Sequence, residues 1–164
     1  MSGVLYHSPA EIIAQLMIDL GLANGNEEDE ALTGWVVFPL HLPETPDQAI
    51  QVQDTAGRLH NRTQVTGETG EHYGIQVLAR SPQDPVTAYR KIKQLLEYFD
   101  TEICREEVTV YDEAASTNRT YMVHALTRTS VAIPSGNDGR RYFYAGNALA
   151  SIELQAEEDT GTGS

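Results

Sequence analysis

Residues 50–100 read IQVQDTAGRLHNRTQVTGETGEHYGIQVLARSPQDPVTAYRKIKQLLEYFD. At its start, Ile50 and Val52 alternate with Gln51 and Gln53, the period-two pattern of a half-buried strand. A polar stretch rich in Thr, Gly and Arg follows over 55–71. Connections this long are uncommon in compact domains unless they serve a purpose or lack order. A second strand is predicted over 74–80, with Ile75, Val77 and Ala79 on one face. Asp84 and Pro85 then open a helix, the aspartate as cap and the proline in the first turn. Val86, Tyr89, Ile92, Leu96 and Phe99 are expected on its apolar stripe, with Arg90, Lys91, Lys93 and Glu97 mostly off it.

The same grammar extends outward. Ser8-Pro9-Ala10-Glu11 has the form of a capping box with proline at the first helical position. Ile12, Ile13, Leu16, Met17 and Leu20 then recur at helical spacing, and Gly21 ends the run. Trp35 to Phe38 is a short apolar strand stopped by Pro39. Pro43 and Pro46 keep the following segment out of a central strand. Further strands are predicted over 107–111, 120–127 and 141–154, with a turn at 134–139. Strands mostly succeed one another without a helix between them. That argues for an α+β single domain whose antiparallel sheet carries two amphipathic helices packed on one face. The domain is expected over 1–155, followed by a disordered acidic Gly/Thr-rich tail over 156–164.

A chain of 164 residues with 40% apolar composition suits one moderate core. The formal net charge of −13 argues against gripping nucleic acid or an anionic membrane, since both need clustered cations. No apolar run approaches a membrane span, and the first residues lack the pattern of a signal peptide. Cys104 has no partner for an internal disulfide and reads as a small buried or half-buried hydrophobe.

A search for chemistry finds little. His7, His41, His60, His72 and His124 are scattered, without zinc-site spacing. Glu27 to Glu30 form an acidic loop without the alternating ligands and central glycine of a calcium loop. Gly67-Glu68-Thr69-Gly70 has no lysine and opens no helix, so it reads as a turn. Asp54 and His72 could meet across adjacent strands, but no nucleophile stands in the same run. No catalytic, cofactor or metal site is expected. Arg58, Arg62, Arg80, Arg90, Lys91, Lys93 and Arg105 hold most of the central positive charge. Charge asymmetry of this kind can drive head-to-tail self-association, or be mere solvated charge.

The ordered residues Asp54, Thr55, Gly57, Thr66, Gly67, Glu68, Glu71, His72, Gly74, Ile75, Gln76 and Val77 carry a family resemblance. Their order and spacing resemble the tail-terminator or minor capsid proteins of long-tailed bacteriophages, and the general layout extends over about residues 9–154. The resemblance implies a structural virion protein, assembled in the host cytoplasm. It would form a ring, commonly of six subunits, that caps the tail tube and meets the head-tail connector. DNA would pass through its lumen without specific binding. By position, the segment over 57–71 matches the long hairpin that helps build the ring wall. Arg58, Arg62, Thr66, Glu68, Glu71 and His72 are therefore the candidate interface to the next subunit or the tube. A connector protein docking at the portal side is the alternative, and a small cytosolic enzyme a more distant one.

Overall fold

The computed structural model describes residues 5–25, 34–59, 71–82 and 84–155. In chain order they form α1 (Pro9–Asp19), β1 (Val36–Pro39), β2 (Ala49–Leu59), β3 (Glu71–Ser81) and α2 (Pro85–Glu102). There follow β4 (Cys104–Asp112), β5 (Thr117–Arg128), β6 (Ile133–Asn137) and β7 (Tyr142–Leu154). The strands lie in the order β1-β2-β3-β7-β5-β4, with β6 beside β7.

Both helices begin as their sequences dictate. The Ser8 hydroxyl accepts from the Glu11 amide, and the Glu11 carboxylate accepts from the Ser8 amide at 2.8 Å, closing the capping box. The Asp84 carboxylate accepts from the Thr87 amide at 2.7 Å. Both contacts satisfy amides that the first helical turn leaves without partners.

The sheet corrects the expectation of an antiparallel sheet carrying two helices on one face. Strands make up 49% of the structure, and they form a mixed, curled sheet, a half-barrel. β1 runs parallel to β2, while the other pairings are antiparallel. α1 touches β1 and β2 near one end of the strand order and β4 at the other. One helix can reach both ends only if the sheet bends around it. Bulges in β2 between Thr55 and Arg58, and in the β5–β7 pairing near Val123 and Ala125, supply part of that bend. The helices therefore fill a hollow rather than lie across an open face.

Packing of α2 also departs from the expected stripe. Ala88, Ile92, Leu95, Leu96 and Phe99 are buried, whereas Val86 and Tyr89 are 48% and 38% exposed. The helix is rolled so that Leu96 sits over Gly146 of β7. A methyl group there would lie within 3.0 Å of three Leu96 side-chain carbons. Glycine at this point lets helix and sheet approach closely. Ile12, Ile13, Leu16, Ile50, Ile75 and Tyr121 are fully buried in the same core.

Lys91 lies inside rather than on the solvent side. Its ammonium donates to the Leu22 carbonyl at 2.7 Å and to Gln94 Oε1 at 3.1 Å, and stands 5.8 Å from the centre of the Trp35 ring. It thus ties α2 to the chain leaving α1. Burial lowers its pKa to about 8. An unfolded lysine titrates near 10.4, so between these values the unfolded chain holds the extra proton and stability rises with pH. Below about 8 both states are charged and the penalty is constant. Relative to Lys91→Met, the wild type should gain on the order of 2 kcal/mol between pH 8 and 10.5, read from urea midpoints. Parallel pH curves would show that the ammonium bears no burial penalty.

Candidate functional site

The described ends of the segment singled out by the sequence, 57–59 and 71, lie at the end of β2 and the start of β3. β1 covers β2 only from Ala49 to Val52, and β7 covers β3 only from Tyr73 to Ser81. Beyond those limits, among the described residues, β2 and β3 have only each other as strand partners. They continue as an arm that reaches Leu59 on one side and Glu71 on the other. β2 was expected to end at Asp54. It runs five residues further because β3 supplies partners that local sequence does not show.

The arm takes its direction from the bulge. Thr55 pairs with Gly74 and Arg58 with His72, so β2 spends one more residue than β3 between the two pairs. A side chain at Gly74 would meet the Ala56 carbonyl oxygen and the Thr55 hydroxyl. One at Gly57 would meet the His72 carbonyl oxygen. The two glycines of the Asp-Thr-x-Gly and His-x-Gly words are therefore where the two backbones come closest.

Of the six candidate interface residues, Arg58, Glu71 and His72 lie together in the arm, with Arg58 opposite His72 and Glu71 opposite Leu59. Arg62, Thr66 and Glu68 fall outside the described residues, as do the segment 60–70 and the tail 156–164. Asp54 and His72 do not form an acid–base pair. Asp54 is opposite Ile75, three residues from His72 along β3, so the two point to opposite faces. The Asp54 carboxylate instead accepts from the Ala10 amide at 2.9 Å, anchoring the first turn of α1 beside the root of the arm.

A second anchor holds the same helix from the other end of the sheet. The Tyr121 hydroxyl accepts from the His7 amide at 3.2 Å and lies 2.7 Å from His7 Nδ1. A carbonyl can only accept, so His7 Nε2–H donates to the Tyr111 carbonyl at 3.0 Å, and in the neutral ring Nδ1 then accepts the Tyr121 hydroxyl proton. The chain entering α1 is so fastened to β4 and β5, while Asp54 fastens the helix to β2.

The positive charge is distributed differently from its reading in sequence. Arg80 is 3% exposed. It donates from Nε to the Asp47 carbonyl at 3.1 Å and from Nη2 to the Pro46 carbonyl. Burial lowers its pKa. Arg141, which the sequence did not single out, is also buried. It donates from Nη1 to the Glu44 carbonyl at 2.9 Å and from Nε to Asp138 Oδ2 at 2.7 Å. These two guanidiniums hold the loop that brings β1 into parallel register with β2. Arg80 and Lys91 are thus interior ties, and Arg90, Lys93 and Arg105 remain exposed. Cys104, expected to be buried or half-buried, is exposed at the start of β4.

The side-chain hydrogen bond from Arg141 lowers the Asp138 pKa from 3.8 to about 2. A depressed carboxylate stabilises the fold above its ordinary value, and that contribution is lost as pH falls toward the folded value. Asp138→Asn should therefore lower the urea midpoint at pH 7, and the gap should close between about pH 4 and 2. A gap that stays constant across that range would remove the ion pair as its cause.

A cleft of about 560 Å³ lies over α1, between β1 and β4. Ala14, Ile18, Val37 and Val110 give it apolar walls, and Tyr6 and Tyr111, both 57% exposed, stand at it. It is the seam where the half-barrel fails to close. Among the described residues no group of three His, Cys, Asp or Glu side chains is placed to hold a metal ion. No helix among them is long and apolar enough to cross a membrane. No protein-family model matches the chain, and no curated protein matches it.

Proposed function

We propose that this chain is a structural virion protein, a tail terminator that forms a ring on the end of a phage tail tube and meets the head-tail connector. The observation that carries the reading is the arm. A bulged two-stranded ribbon leaves the sheet, rooted by Asp54 and shaped by Gly57 and Gly74, and bears the residues that resemble the family's ring-wall hairpin. Strands that run on past their sheet neighbours, β2 beyond Val52 and β3 before Tyr73, leave backbone edges suited to a neighbour. A ring built this way uses a heterologous contact, with arm on one side and receiving surface on the other. The net charge of −13 suits a lumen through which DNA slides without adhering.

The test is assembly. A variant with 58–71 replaced by a short glycine-containing turn should stay folded by circular dichroism yet fail to form rings on tail tubes under negative stain. Virions made without the protein should carry overlong tails or tails separated from heads. Rings of normal appearance from the armless variant would overturn the role of the arm. Normal tails in virions lacking the protein would overturn the terminator reading.

A further inference from the structure

The sheet ends in two unlike open edges. The distal half of β2, from Gln53 to Leu59, has no strand on its outer side among the described residues. Among the described residues β4 has a strand on one side only, β5, which pairs with it from Cys104 to Asp112. Neither edge carries the lysine or proline that commonly blocks pairing with another chain. The seam cleft runs beside β4, with Val110 and Tyr111 in its wall; His7 engages the Tyr111 carbonyl there, so the stretch offered to a second strand is Cys104 to Val110.

The two edges also agree in direction. β2 is antiparallel to β3, β3 to β7, β7 to β5 and β5 to β4, so β2 and β4 run in the same sense. Rotation about an axis roughly along the strands keeps that sense. It would bring β2 of one copy beside β4 of the next as a parallel pair. On the first edge Asp54 is engaged by the Ala10 amide and Arg58 is the one cation, while the second is net negative, with Glu106, Glu107 and Asp112 against Arg105.

We infer that the open edge of β4 receives the distal half of β2 from a second copy of this chain, so that the sheet continues from subunit to subunit. The inference rests on the ring reading above and names the surfaces that would make the ring. The pairing is heterologous, as a closed ring requires, because the donor and acceptor edges are different strands.

Thr55 lies on the face opposite Asp54. Glu107 and Thr109 lie on the face opposite the buried Val108, and all three are exposed. Disulfide formation between edges reads the contact directly, because bridged Cα atoms must lie within about 7 Å. In a Cys104→Ser background, Thr55→Cys would be combined in turn with Glu107→Cys or Thr109→Cys. The two positions sample the possible registers. On mild oxidation in the presence of tail tubes, one of these full-length variants should lose its monomer band to a ladder of covalent multimers. The single-cysteine variants should stop at dimers. Rings by negative stain without any ladder would overturn the edge pairing and leave the ring reading standing. A ladder without rings would support the pairing and count against the terminator reading. Neither rings nor ladder would overturn both.

Discussion

Replacing Gly74 with valine should destabilise the protein by about 3 kcal/mol, near the upper end of what overpacking usually costs. The reason is that the obstruction is mainly backbone. A Cβ at Gly74 would be driven into the Ala56 carbonyl, which the bulge turns across the paired strand. A side chain can rotate away from a new methyl group, whereas a carbonyl fixed in a ladder moves only if the strand moves. Valine would therefore displace the bulge and re-aim the arm beyond it. The urea midpoint gives the stability, and ring formation on tail tubes gives the consequence for assembly. A variant within about 0.5 kcal/mol of wild type would show that the strands have room to spare and that glycine is not demanded here.

The second large effect concerns Arg58 and Arg62. Arg58→Glu together with Arg62→Glu should weaken ring or tube-end association while leaving the fold intact. Charge pairs within a subunit's surface contribute little to its stability, whereas each pair between subunits, if partly desolvated, is worth roughly 1 kcal/mol or more. Two reversals would then lower association at least about tenfold, since 1.4 kcal/mol is a factor of ten. Raised salt should reproduce the effect if the pairs sit at the rim, because screening acts mainly on exposed charges. Capping of tail tubes measures the loss, and circular dichroism confirms folding. Normal capping at low salt by a well-folded double variant would exclude these arginines from the interface.

Local signals in the chain were enough to place both helices. Ser8 with Glu11, and Asp84 with Pro85, act within one turn, so their geometry is written in adjacent residues. Alternation at 50–54 and 74–80 located β2 and β3 for the same reason, whereas the bulge between Thr55 and Arg58 falls in a stretch that reads as a loop. Four things depended on residues far apart in sequence. The parallel pairing of β1 with β2 follows the path of a loop held by Arg80 and Arg141. The curl of the sheet appears only when α1 is seen to touch strands from both ends of the strand order. The roll of α2 follows from the close approach of Leu96 to Gly146, which turns Lys91 inward and Tyr89 outward. The extension of β2 past Asp54 comes from hydrogen bonds to β3 in a polar stretch with no apolar period. Periodicity and capping record which side of an element is apolar and where it starts. Pairing direction, curvature and register are set by contacts between elements, and those exist only in the assembled tertiary structure.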